Sequence, residues 1–425
     1  MREMKDSGVE WIGEIPKDWN CMRLKFAFDN SNVGESVDKE FYSSDEKGYI
    51  FYTAGANPVK TSYTEFPMWK YTTDNDILLA RNGTPYIYLP SKDAVYSDHI
   101  IRINIKDGYC RRFLRYCLQR SIESIIVDSV SIATWSISLW KEQKLPLPYY
   151  HEQKYLADYL DAKCSKIDEI IEKQQAIIEK LKEYKLSVIT EVVTKGLNPD
   201  VEMMESGAEF VGKIPKNWSI AKLGNLFDFI GGYAFNSEMY VSESQNQVVR
   251  IGNVKNGYML LDSNPVFIND ETAERANKFL IKPNYILFTM TGTKGKRDYF
   301  FTHVVTEEDC KGKRLYINQR VGCFVAKKGV HPAYYGYLLK DNKILDGIFL
   351  YETGTANQGN LGIDSISRTK VHVPPYEEQC KIAEYLDKKC NLIDSNIYEK
   401  GRLIIKLQEY KKSLIYEVVT GKKEV

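Results

Sequence analysis

The chain contains itself twice, and any fold it adopts must accommodate that duplication. Residues 7–29 read SGVEWIGEIPKDWNCMRLKFAFD, and residues 206–228 read SGAEFVGKIPKNWSIAKLGNLFD. At a fixed offset of 199 the matches include Ser7/Ser206, Gly8/Gly207, Glu10/Glu209, Gly13/Gly212, Ile15/Ile214, Pro16/Pro215, Trp19/Trp218, Leu24/Leu223 and Phe28/Phe227. A longer pair, residues 148–194 and 374–420, aligns at an offset of 226. Gln153/Gln379, Tyr159/Tyr385, Leu160/Leu386, Asp161/Asp387, Cys164/Cys390, Ile167/Ile393 and Asp168/Asp394 coincide there. The offset grows by 27 between the two landmarks, so the variable material lies between the repeated segments. The order is short motif, variable domain and long segment, twice over.

Fainter echoes run through the variable parts. Ile77-Leu78-Leu79-Ala80-Arg81-Asn82-Gly83-Thr84 resembles Ile286-Leu287-Phe288-Thr289-Met290-Thr291-Gly292-Thr293, and Ser97-Asp98-His99-Ile100 sits where Asn318-Gln319-Arg320-Val321 sits. Runs rich in β-branched and aromatic residues predict strands at Asp76–Ala80, Ala94–Tyr96, Ile100–Ile105, Ile286–Thr289, Phe300–Val305 and Val321–Ala326. Helices are predicted at Arg111–Gln119 and Pro332–Leu339. The fold class is α+β: two similar mixed domains separated by two long helices, with domain limits at 1–147, 148–197, 198–373 and 374–425.

The repeated long segments carry a seven-residue apolar period. One row is Leu160, Ile167, Gln174, Leu181 and Val188, with Ile170, Ile177 and Tyr184 as its companion; the second copy gives Leu386, Ile393, Lys400, Leu407 and Leu414, with Leu403 and Tyr410 alongside. A helix of about 40 residues spans ~60 Å, and each is too apolar on one stripe to stand alone. The two are predicted to pair antiparallel with pseudo-twofold symmetry. The row position that is polar in both copies, Gln174 and Lys400, either faces its counterpart and fixes register or snorkels to solvent.

At 425 residues the chain needs at least two folded units. With 43% hydrophobic and 27% charged residues it matches an ordinary globular protein. No apolar run reaches the ~20 residues that span a bilayer, and Met1-Arg2-Glu3-Met4-Lys5-Asp6 begins no signal peptide. A cytoplasmic location with no membrane partner is expected. The eight cysteines include no C-x-x-C pair, so buried free thiols are expected rather than a zinc ribbon or a disulfide framework.

Catalytic signatures fail one by one. Gly292-Thr293-Lys294-Gly295-Lys296-Arg297 has only two residues between its glycines where a phosphate loop needs four, and Arg297 stands where Mg²⁺ needs Ser or Thr. The histidines (His99, His151, His303, His331, His372) form no close pair, so no metal site is expected. Val373-Pro374-Pro375-Tyr376 resembles the motif of adenine amino-methyltransferases, but Val373 cannot accept a hydrogen bond from a target amino group. Its counterpart Leu147-Pro148-Tyr149-Tyr150 makes the element a helix lead-in. Phe229-Ile230-Gly231-Gly232-Tyr233 is a poor cofactor loop.

What remains is binding. Net charge is only +1, from 58 basic and 57 acidic residues, yet the balance breaks locally. Residues 102–120 hold Arg102, Lys106, Arg111, Arg112, Arg115 and Arg120 against Asp107 alone, and residues 278–328 hold eleven basic residues against four acidic ones. Such stretches are either solvated faces or phosphate-neutralising surfaces; their recurrence in equivalent places brings the second reading level with the first and leaves both open.

The order of a Ser-Gly-x-Glu-[Trp/Phe]-[Ile/Val]-Gly-x-Ile-Pro-x-x-Trp motif, a variable domain, and a Glu-Gln pair opening a long helix (Glu152-Gln153, Glu378-Gln379) resembles the specificity subunit of type I restriction-modification enzymes over the whole chain. The resemblance implies a non-catalytic, double-stranded DNA-binding subunit whose two target recognition domains each read half of a bipartite asymmetric target. It also implies helices that set the spacer and dock two methyltransferase subunits, with two restriction-translocase subunits joining through the complex. S-adenosylmethionine, ATP and Mg²⁺ are then expected only in those partners.

Base contacts should come from Arg, Lys, Asn and Gln on loops. The candidates are Arg81, Asn82, Arg111 and Arg112 in the first domain, and Lys294, Lys296, Arg297, Asn318, Gln319 and Arg320 in the second. Each could instead be a strand-end or surface residue. His99 is read as packing at the start of a strand. Two other functions are weighed: a solitary DNA-specificity scaffold serving a methyltransferase outside restriction, and a DNA adenine methyltransferase itself, which Val373 opposes.

Overall fold

The computed structural model describes residues 2–43, 48–128, 134–355 and 357–425. Two continuous helices dominate it, Tyr150–Lys195 and Tyr376–Val419. The chain divides into two compact units, Met1–Ala176 with Lys400–Val425, and Ile177–Glu399. These limits differ from those expected at 147, 197 and 373, because each unit takes half of each long helix and pairs the start of one with the end of the other. Boundaries drawn along the chain do not capture that exchange.

In the first unit a four-stranded antiparallel sheet runs in the order Phe28–Val33, Ile100–Ile105, Asp76–Ala80, Ile87–Tyr88. The predicted strands at 76–80 and 100–105 are its centre, and the end of the repeated motif supplies an edge. A second sheet pairs Val95–Tyr96 parallel to Tyr49–Tyr52 and adds Val59–Thr61 and Tyr42–Ser43. The second unit repeats the first topology with Phe227–Gly231, Val321–Ala326, Ile286–Thr289 and Thr302–Val304. Its other sheet contains a parallel pair, Asn246–Val249 with Arg314–Ile317.

The repeated motif is structural in both units. Ser7 N–H donates to Gly13 carbonyl, and Ser206 N–H to Gly212 carbonyl. Gly13 and Gly212 turn the chain at φ 68° and 70°, which an L side chain would resist. Trp19 and Trp218 then sink into their cores. In the first unit Trp19 Nε1 donates to Glu152 Oε2 at 3.0 Å, tying the motif to the helix start.

The repeated glutamine has a defined use. Gln153 is buried, accepts from Cys110 N–H and donates to Pro148 carbonyl, both at 2.9 Å. Gln379 likewise accepts from His331 N–H and donates to Pro374 carbonyl at 2.9 Å. A second clamp recurs as Tyr116 Oη to Asp161 and Tyr337 Oη to Asp387, each 2.7 Å. Both clamps fasten the domain helix (Arg111–Asp128 or Pro332–Leu338) to a long helix.

Along the helix pair, Leu160, Ile167, Leu386, Ile393 and Leu414 are buried, while Leu181 and Leu407 are half-buried. Full burial of such a leucine is worth about 2 kcal/mol. The expected companion row is corrected: Ile170, Ile177, Tyr184, Leu403 and Tyr410 are exposed. Ile171 and Ile404 turn inward instead, four residues after Ile167 and Lys400 rather than three. In the first unit Asp168 pairs with Lys411 and Gln174 with Lys400, so the segments run antiparallel. In the second unit Lys185 pairs with Asp394. No helix among the described residues is long and apolar enough to cross a membrane. Cys110, Cys117, Cys164, Cys323 and Cys390 are buried free thiols; Cys21, Cys310 and Cys380 are partly exposed.

Candidate nucleic-acid interface

Each unit assembles the same hydrogen-bonded framework at one end of its main sheet. In the first, Arg81 N–H donates to His99 carbonyl (2.8 Å) and Trp135 N–H to Arg81 carbonyl (2.6 Å). In the second, Met290 N–H donates to Arg320 carbonyl (3.0 Å) and Leu361 N–H to Met290 carbonyl (2.9 Å). The segments 97–99 and 318–320 that echo in sequence are therefore one turn seen twice. A glycine seats each turn: a Cβ on Gly34 would lie 2.0 Å from Tyr96 carbonyl oxygen, and one on Gly232 would lie 1.9 Å from that of Asn318. Gly232, rejected above as part of a cofactor loop, is thus required for backbone approach.

The side chains displayed on the two turns differ. Gln319 and Arg320 are exposed, while Asn318 is buried beneath them. With Arg250, Asn253 and Asn264 they line a cleft of about 420 Å³ with no acidic residue. Arg250 was not among the sequence candidates. It follows the strand Asn246–Val249, donates to Asn264 carbonyl, and keeps Nε buried without a partner among the described residues. A lone arginine directly after a β-branched run was the available signal. In the first unit the turn carries Asp98 and His99, and Asn82 Nδ2 lies 2.9 Å from His99 Nδ1. His99 is exposed, contrary to the expectation that it packs at a strand start. Arg81 and Asn82 are half-buried.

Other candidates are engaged within the protein. Arg111 donates to the carbonyls of Asp76 and Pro90. Arg112 bridges Asp158 and Asp161 at 2.6 Å each; those carboxylates hold its guanidinium pKa above the usual value against the opposing effect of burial. Both residues join the domain helix to its surroundings. Arg102 bonds Trp69 and Tyr71 carbonyls, Lys106 pairs with Asp29, and Arg120 with Glu123. The basic stretch 102–120 is thus largely neutralised inside its own unit, because residues adjacent in sequence point to different neighbours.

Neutralisation is less complete in the second unit. Arg297, at φ 50°, pairs with Asp346 at 2.5 Å and lies over the Phe349 ring. Lys294 Nζ donates to Gly354 carbonyl at 3.0 Å. Lys296 and Arg320 have no ion-pair partner among the described residues. Lys278, Lys282, Arg314 and Lys328 are likewise exposed without an ion pair among the described residues, but the turn at 319–320 and the loop tip at Lys296 are the ones on the segments that carry the shared framework or adjoin it.

The model for the type I restriction modification DNA specificity domain matches residues 16–183 and 215–406, one copy for each repeat. The chain belongs to that family. It is 23% identical over 423 residues to the type I restriction enzyme MjaVIII specificity subunit of Methanocaldococcus jannaschii, covering 96% of this chain and 93% of that one. The EcoBI specificity subunit of Escherichia coli is 19% identical over 346 residues, 78% of this chain and 70% of that one. In fold the chain resembles one from a structure describing complex assembly and conformational transition of the type I restriction-modification system, at TM-score 0.70 and 13% identity, covering 96% and 99%. It also resembles the HsdS subunit of Thermoanaerobacter tengcongensis, at TM-score 0.51 and 14% identity, covering 98% and 100%.

Proposed function

We propose that this chain is the sequence-reading subunit of a type I restriction-modification complex, binding double-stranded DNA through the turns at 97–99 and 318–320. The observation that carries the reading is the shared backbone framework with unlike side chains: Arg81, Asn82 and His99 in one unit, and Gln319, Arg320 and Arg250 in the other. One scaffold with two different displays suits a bipartite target whose halves are unrelated.

On this reading the chain performs no chemistry. Adenine methylation and ATP-driven cleavage belong to two methyltransferase and two restriction-translocase subunits, which also bring S-adenosylmethionine, ATP and Mg²⁺. The long helices separate the half-sites and offer the methyltransferases a docking surface, and the complex acts in the cytoplasm. The test is selection of the full chain, with its methyltransferase partner, on randomised 40-bp duplexes followed by sequencing. Two short enriched blocks at constant separation are expected. A single block, or no enrichment above the input library, overturns the proposal.

A further inference from the structure

The second unit carries an element that neither composition nor periodicity announces. Strands Thr353–Thr355 and Gln358–Asn360 form an antiparallel ribbon, and its second strand pairs with Thr291-Gly292. Thr291-Gly292 continues the central strand Ile286–Thr289 beyond the end of the main sheet. The ribbon therefore grows from the same sheet end as the recognition turn: Met290 bonds Arg320 on one side and Leu361 on the other. The bridge Asn82–Thr134 occupies the corresponding place in the first unit.

Its composition is unusual for a surface. Between 353 and 360 there is no ionisable and no large apolar side chain, yet Thr353, Thr355, Asn357, Gln358 and Asn360 are exposed. Its base, by contrast, is firmly held. Glu352 accepts from Gly295 N–H and, at 2.6 Å, from Tyr299 Oη, while Lys294 reaches Gly354 carbonyl. Gly359 lets the ribbon close onto this base: a Cβ there would lie 2.3 Å from Glu352 Oε1 and 3.1 Å from Lys294 Cα. The result is a two-stranded ribbon with amide side chains exposed, next along the chain or the sheet end to Lys296 and Arg320, which form no ion pair among the described residues.

A two-stranded ribbon is one of the two elements that the major groove admits, and Asn or Gln can bond an adenine edge bidentately. Resting on the DNA-reading function proposed above, we infer that the ribbon is a further base-reading element of the second unit, with Gln358 and Asn357 as its specificity-determining residues. Lys296 supplies the adjacent phosphate contact and Gln319 and Arg320 read neighbouring positions. The absence of charge on the ribbon is then functional, since uncharged amides discriminate among bases where lysines would hold any phosphate.

The experiment compares the full chain with Gln358→Ala, Asn357→Ala, Gln358→Glu and, as a comparator, Gln319→Ala, each selected on randomised duplexes with the methyltransferase partner and each checked by thermal unfolding. Gln358→Ala is expected to weaken preference by about tenfold at one or two positions of a single half-site, leaving the other half-site intact. Gln358→Glu should create a new preference there, toward cytosine, a gain that a misfolded variant could not produce. An unchanged motif in the three ribbon variants, with a relaxed one in Gln319→Ala, overturns the ribbon and leaves the DNA-reading function standing. Uniform weakening on all sequences, or loss of methyltransferase binding with the motif intact, overturns it equally, assigning the ribbon to phosphate or to protein contact. Failure of the wild-type chain to enrich any sequence overturns the parent proposal instead.

Discussion

Lys400 Nζ donates a hydrogen bond to Gln174 Oε1 at 3.1 Å. The two residues are each other's counterparts in the repeat, at the offset of 226, so this bond joins a position to its own copy. The pair Asp168–Lys411 in the first unit recurs, within the second unit, as Asp394–Lys185. A polar residue at a helix seam specifies register at a cost in stability. Replacing both with leucine should raise the unfolding midpoint by roughly 2–4 °C, about 1 kcal/mol for units of this size. Scanning calorimetry checks this; a lower midpoint would mean that the polar pair is itself the stabilising arrangement.

The buried glutamines should be among the least replaceable residues. Gln379→Ala strands His331 N–H and Pro374 carbonyl, and Gln153→Ala strands Cys110 N–H and Pro148 carbonyl. Each substitution is expected to cost about 1–3 kcal/mol per orphaned group. Urea unfolding followed by circular dichroism measures it, and no change in midpoint would show that water replaces the lost side chain.

On the proposed function, Arg112 and Arg320 should respond differently to substitution. Arg112→Ala breaks two partly exposed ion pairs, so stability should fall by no more than about 1 kcal/mol per pair with the recognised sequence unchanged. Arg320→Ala should instead relax one half-site at nearly constant stability. Electrophoretic competition between cognate and altered duplexes distinguishes them, and the reverse pattern would exchange their assignments.

Lys296 is expected to act on phosphate. Lys296→Ala should weaken binding evenly across sequences and lower the slope of log K against log salt by about 1. Titration at several salt concentrations provides the measurement; an unchanged slope excludes the contact.

His372 is expected to make the second unit acid-sensitive. It is fully buried against Trp218 at a ring separation of 6.1 Å, and neither ring nitrogen has a partner among the described residues. Burial pushes its pKa down to about 4. The unfolded chain binds this proton near pH 6.5, so stability is full above that pH and falls as pH drops from about 6.5 toward 4. The loss is on the order of 3 kcal/mol. Unfolding midpoints measured across that window should decline in the wild type and flatten in His372→Leu.

The duplication, the central strands and the two long helices were legible because each rests on local pattern. Asp76–Ala80, Ile100–Ile105, Ile286–Thr289 and Val321–Ala326 appear where their β-branched runs end. The companion helix row was misread because three- and four-residue spacings both lie on one face, and only the neighbouring helix selects Ile171 over Ile170. The internal pairing of the basic residues was not legible for a similar reason. Arg111 and Arg112 are as basic as Arg320, but whether a charge is spent depends on distant carboxylates such as Asp158 and Asp161.

Repetition and hydrophobic period were enough to establish two like domains and a paired helix, since both are properties of residues a few positions apart. Which half of each helix joins which domain, why Gly34 and Gly232 are required, and which cations remain free follow from contacts between residues up to hundreds of positions apart. The ribbon of Thr353–Thr355 and Gln358–Asn360 is the clearest case: short runs of threonine, glycine, glutamine and asparagine carry no signal on their own, and only the pairing of Gly359 and Asn360 with Thr291-Gly292 joins them to the strand end that bonds Arg320 through Met290.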